Sequence, residues 1–139
     1  MASANALALT KKLADAYFTG TFKILLVSSL PSEADLDTFA FRSSIANEVG
    51  ASGTYAVGGA AVTCAVGAVD TTNNRTPVTF GNPTPFTGAN ISAVGGWIYK
   101  VIGSAATDEL IGFVDFTGTI TSTNGTFTVT ISNPLYINR

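Results

Sequence analysis

From Ala61 to Asn138 the chain sets short runs of β-branched and aromatic residues between Gly, Asn and Pro, with few charges among them. The runs AVTCAVGAV, TPVTF, ISAVGGWIYKVIG, ELIGFVDF, TGTITST, GTFTVTIS and PLYIN have the length and composition of strands. The clearest alternation places Phe127, Val129 and Ile131 on one face and Thr126, Thr128 and Thr130 on the other, which predicts a half-buried strand. Upstream, TFKILLVSS contains Ile24 to Val27 as an unbroken apolar run, which predicts a strand covered on both faces. The pattern predicts an all-β fold, an antiparallel β-sandwich of Ig-like or jelly-roll-like type with about seven to nine strands. Ile24, Leu26, Val62, Cys64, Trp97, Phe113, Phe127 and Val129 are its expected core.

The N-terminal segment follows a different period. Ala4, Leu7, Ala8, Leu13, Ala14 and Tyr17 stand among good helix formers, with Lys11, Lys12 and Asp15 on a more polar arc, and both a short helix and an extended arm fit. Gly20 ends the segment. The expected organisation is an arm or short helix over residues 1–20 and a single sandwich domain over 21–139.

Turn chemistry fills in the connections. Asn73-Asn74-Arg75 predicts a hairpin tip, and Asn124-Gly125 predicts a tight hairpin between two strands. Gly95-Gly96 predicts a bulge or a close backbone approach before Trp97. Pro31 to Asp37 reads as a loop, followed by one or two helical turns capped by Asp37 or Ser43. Asn74, Asn90 and Asn124 each satisfy the bare glycosylation pattern but read as polar turn residues.

Composition narrows the chemistry. The chain is 46% hydrophobic and only 12% charged, with a net charge of -2, which leaves a Thr-, Ser- and Asn-rich surface suited to protein contacts. Lys11 and Lys12 are the one adjacent basic pair, so no cationic patch predicts nucleic-acid binding. No run approaches the roughly 18 apolar residues a membrane span needs, and the N-terminus lacks the basic start of a secretory signal.

With no His and one cysteine, Cys64, the chain offers neither an activated nucleophile nor a zinc set, and Cys64 reads as a small core residue. Glu109 and Asp115 would stand about 20 Å apart along an extended strand, too far to flank one scissile bond. The glycines from Gly50 to Gly59 lack the Gly-Lys-Ser/Thr of a phosphate loop and read as tight turns. No catalytic residue, metal or cofactor is therefore expected. An enzyme would have to assemble a site from Asp35, Asp37, Arg42 or Glu48 on separate loops. Trp97 and Tyr99 admit a carbohydrate-binding role beside the more ordinary one in a core or interface.

The opening strand FKILLVSS, the Asp37 to Phe39 element, ANEVGASGTYAVGGAAVTCAV, GGWIYKVIGSAATDELIGFVDF and NGTFTVTIS together resemble a family of small structural proteins of tailed bacteriophages. The likeness runs from about Thr21 to the end. It rests on Asn47-Glu48-Val49-Gly50, Tyr55, Gly58-Gly59 and Ile98-Tyr99-Lys100, with Arg42 standing loosely for the family's basic residue after the Asp-Phe element. The resemblance implies a virion protein assembled in the host cytoplasm, most simply a capsid decoration or cement protein. A tail, neck or tail-tip component and a glycan-recognition module are the alternatives. Its implied partners are the major capsid protein or other virion proteins, and further copies of itself. Leu7, Leu9, Leu13 and Tyr17 are the expected anchors, and Arg42, Asn47 and Glu48 the expected polar contacts.

Overall fold

The computed structural model describes residues 6–138, and Ala4 of the expected helix lies outside them. The chain forms a helix α1 (Leu7–Tyr17), strand β1 (Phe22–Val27), a short helix α2 (Glu33–Thr38) and strands β2 (Ala60–Val62), β3 (Cys64–Val66) and β4 (Arg75–Phe80). A single 3-10 turn (Arg42–Ser44) lies between α2 and β2, and strands β5 (Phe86–Lys100), β6 (Glu109–Phe127) and β7 (Leu135–Asn138) complete the chain. A four-stranded sheet in the order β2-β1-β5-β6 faces a three-stranded sheet in the order β3-β4-β7, and every pairing is antiparallel. The fold is the all-β sandwich that the strand pattern predicts, with a short N-terminal helix.

Central position explains the apolar runs. Phe22, Ile24 and Leu26 point from β1 into the space between the sheets, where they meet Val78 and Phe80 of β4 and Ile98 of β5. Leu25 and Val27 point the other way and pack with Trp97 and Tyr99, beneath Phe39 and Ile45 of the connection that follows β1. Both faces of β1 are thus covered, and each fully buried aliphatic or aromatic side chain contributes about 1.5–3 kcal/mol. Phe22 and Phe80 close the inter-sheet core edge to face, with centroids 5.6 Å apart. Of the expected core, Ile24, Leu26, Val62, Trp97, Phe127 and Val129 are buried. Cys64 and Phe113 are half-buried, because β3 is a sheet edge and Phe113 sits on the outer strand β6.

Several local expectations are corrected. Asn124-Gly125 makes no hairpin. The pieces expected as separate strands on either side of Gly118 run together as β6, and Asn124, at φ 43°, sits in a bulge opposite β5. Once β5 supplies a continuous partner, the left-handed preference of Asn serves a bulge equally well. A larger irregularity lies upstream: Ala93 pairs with Ile120 and Gly95 with Asp115, so Val94 faces the whole stretch from Phe116 to Thr119. Thr117 there takes φ 58°, uncommon for a β-branched residue, and its N–H donates to Asp115 Oδ1 at 2.7 Å.

The first helical turn after Pro31 begins earlier than expected. Ser32 caps α2 and forms a reciprocal capping box with Asp35, satisfying two backbone N–H groups that Asp37 or Ser43 could not reach. Asn90 stands within β5, where its Oδ1 accepts from the Asn124 N–H, and is no turn residue. Asn74 does occupy the β3–β4 hairpin turn, at φ 54°. Phe127, Val129 and Ile131 face inward as their alternation predicts, although the chain beyond Phe127 leaves the sheet. The Gly95-Gly96 expectation holds too, since a side chain at Gly96 would lie 2.7 Å from the Leu25 carbonyl oxygen.

Candidate functional site

The expected anchor and contact residues fall in two places. The first is α1. An 11-residue helix is marginal on its own, and Ala6 provides no side-chain cap, so packing must hold it. Thr10 and Ala14 turn inward and are buried, and Phe18 follows them onto Phe22 and Phe80. The helix thereby lies on its own sandwich, against β3, β4 and β7. Leu9, Leu13 and Tyr17 recur every fourth residue along its flank and stay 37%, 54% and 37% exposed, while Leu7 is half-buried.

Beside that flank runs a groove of about 450 Å³, where Leu13 and Tyr17 of α1 face Leu110 and Ile111 of β6 and Leu135 and Tyr136 of β7. Its rim is tied by Tyr17. The phenol donates to Glu109, while the Lys100 ammonium lies 4.4 Å from the ring centroid and donates to the Tyr17 carbonyl at 2.5 Å. Partial burial, reinforced by the Glu109 carboxylate, raises the Tyr17 pKa and keeps the phenol a donor.

The second place is the connection between β1 and β2. Arg42 Nε lies 2.9 Å from Asp108 Oδ2, and the guanidinium stacks 5.2 Å from the centre of the Tyr99 ring. Tyr99 Oη donates to the Gly58 carbonyl at 2.6 Å, and the Gly58 N–H donates to Glu48 Oε1. Tyr55 Oη donates to the same Glu48 oxygen at 2.9 Å and accepts from the Leu26 N–H. Desolvation by burial raises the pKa of both phenols, most strongly at Tyr55. Asn47 Nδ2 donates to the carbonyl and hydroxyl of Ser29. Arg42, Asn47 and Glu48 thus bind their own chain, as does Tyr17, whereas Leu9 and Leu13 carry the apolar surface left open.

Sequence reasoning missed Asp108, which is only 2% exposed. It accepts from the N–H groups of Ile102 and Gly103 as well as from Arg42. Burial alone would push its pKa up, but these donors outweigh burial and hold the carboxyl below its ordinary value. The available signal was an acid closing the Gly-Ser-Ala-Ala-Thr loop, a setting in which a carboxylate gathers loop N–H groups.

The carboxylates of the enzymatic alternative do not converge. Asp35 caps α2, Glu48 joins the tyrosine network and Asp37 is exposed. A polar cleft of about 230 Å³ between Asp35, Ser44, Asn47 and Trp97 contains one carboxylate. Among the described residues no group of three or more His, Cys, Asp or Glu could hold a metal ion. Trp97 and Tyr99, at 5% and 2% exposure, are core side chains and present no face on which a sugar could stack. Cys64 is free, and burial raises its thiol pKa, which lowers the thiolate fraction.

No helix among the described residues is long and apolar enough to cross a membrane. Comparison with protein-family models, curated proteins and solved structures finds no match for the chain.

Proposed function

We propose that the chain is a virion building block, a capsid decoration or cement protein that works through protein contacts and performs no chemical turnover. The observation that carries this reading is the open apolar flank of α1, where exposed Leu9 leads to Leu13 at the groove lined by Leu110 and Tyr136, on a helix whose other face is already docked. The resemblance over Thr21 to the C-terminus supplies the virion setting. A charge-poor surface with an apolar stripe along α1 suits many repeated contacts, each weak, which become strong together when the lattice presents them side by side.

Localisation in an intact-particle density map tests the reading. Density repeated across the head lattice supports decoration, whereas confinement to the neck, tail tube or distal tip makes the chain a tail component. The role of the stripe is tested with Leu9→Asp and Leu13→Asp, which disturb only exposed positions. Removing the helix would instead take the buried Thr10 and Ala14 out of the core. The folded double variant is expected to lose particle binding, and undiminished binding would remove the stripe from the interface.

A further inference from the structure

Trp97 is the one tryptophan of the chain, and its indole N–H has no acceptor in the fold. At 5% exposure the ring spends its faces in the core, with the Phe39 and Phe113 centroids 6.2 and 5.3 Å away. A tryptophan this deeply buried ordinarily finds a hydrogen-bond partner for Nε1. Among the described residues no fully buried side-chain nitrogen or oxygen lacks a partner, so an indole N–H that bonds nothing on the chain must reach an opening. The opening that the ring lines is the polar cleft of about 230 Å³ beside Asp35, Ser44 and Asn47.

The other polar groups of that cleft are fixed by bonds that leave one atom of each free. Asp35 Oδ2 accepts from the Ser32 N–H in the cap of α2, which leaves Oδ1 open. Asn47 Nδ2 donates to the Ser29 carbonyl and hydroxyl, so the amide is held and its Oδ1 remains an acceptor. Ser44 lines the cleft with a hydroxyl that bonds no described residue. Leu30, Pro31 and Phe39 supply apolar wall.

We infer that this cleft binds a small neutral polyol, the size of a single sugar ring. The indole N–H requires an acceptor on the ligand, which an ammonium group lacks. Asp35 is the one charged side chain lining the cleft, so a carboxylate or phosphate meets repulsion with no cation to offset it. A hydroxyl both donates and accepts, and adjacent hydroxyls on one ring can therefore accept from Trp97 Nε1 while donating to Asp35 Oδ1 and Asn47 Oδ1. Drug-sized ligands need about 300 Å³ or more, so the volume limits the occupant to one ring. Trp97 acts here through its edge, since its faces stay in the core. The inference is independent of the particle reading, because a chain absent from heads would still bind sugar in this cleft.

The single indole N–H gives one isolated signal in a nitrogen–proton correlation spectrum of the full chain. Titration with glucose, galactose, mannose and N-acetylglucosamine is expected to move that signal saturably for at least one of them. Acetate, inorganic phosphate and methylammonium are expected to leave it in place. Ser44→Leu fills the cleft from an exposed position and should abolish the shift in a chain that circular dichroism shows to be folded. Ala46→Leu, exposed on the same rim, makes the same test should the first variant not fold. The inference is overturned if no sugar moves the signal up to its solubility limit, if acetamide or any of the ions moves it equally, or if the shift survives the filled cleft.

Discussion

Arg42 and Asp108, 66 residues apart in sequence, form the most enclosed ion pair among the described residues, at 2.9 Å, and join the connection after β1 to the loop between β5 and β6. Asp108→Ala would strand the guanidinium and two loop N–H groups at once. The expected loss is about 2–3 kcal/mol, the scale of a buried charged acceptor whose partner keeps some contact with water. Asp108→Asn retains an oxygen for Ile102 and Gly103 and should cost less. Urea unfolding of the three proteins checks the order.

The same carboxylate sets an acid limb of stability. Its folded-state pKa is depressed, so its contribution is fully present above the unfolded carboxylate value of about 3.9 and is lost as pH falls through the lower folded value. Urea midpoints of the native chain should therefore fall below about pH 4 more steeply than those of Asp108→Asn. At the alkaline end the sign reverses. Tyr55 and Tyr99 have raised values, so their contribution is fully present below about pH 10 and is lost as pH climbs from there toward the folded values. Phenolate absorbance from these two rings should appear together with unfolding.

Docking of α1 can be weighed through one buried contact. Thr10 Oγ1 donates to the Leu7 carbonyl at 2.6 Å, and with its single proton used there it must accept from Thr76 Oγ1, also at 2.6 Å. Thr10→Val should cost about 1–2 kcal/mol because it leaves the buried Thr76 donor unpaired. Thr76→Val should cost about 1 kcal/mol or less, and the double variant less than the sum of the two. Additive losses in a denaturation cycle would show that the hydroxyls are not coupled.

Gly59 is expected to be irreplaceable. Its φ of 74° disfavours any side chain, and a Cβ would lie 1.8 Å from the Ile24 carbonyl oxygen on β1. Gly59→Ala should destabilise by about 3 kcal/mol or more, against less than about 0.5 kcal/mol for Gly50→Ala, where nothing lies within 4 Å. Thermal melts separate the two outcomes.

The sequence by itself determined the sandwich, because alternation and double-sided burial are properties of neighbouring residues. Ile24 to Val27 announced a strand covered on both faces, Phe127 to Ile131 announced an inward row, and Asn74 a hairpin turn. Leu9 and Leu13 were legible as unspent apolar surface. Only tertiary structure decided the rest. Asn124-Gly125 suits a hairpin tip or a bulge, and the presence of β5 alongside selected the bulge. Thr63 gives no local sign that the chain changes sheets there, yet β2 and β3 on either side of it pair with different partners. Arg42, Glu48 and Tyr17 had the chemistry of contact residues, but their partners Asp108, Tyr55 and Glu109 come from distant parts of the chain. Hydrogen bonds and ion pairs are satisfied by whatever the fold brings within about 3 Å, and no spacing in one sequence carries that information.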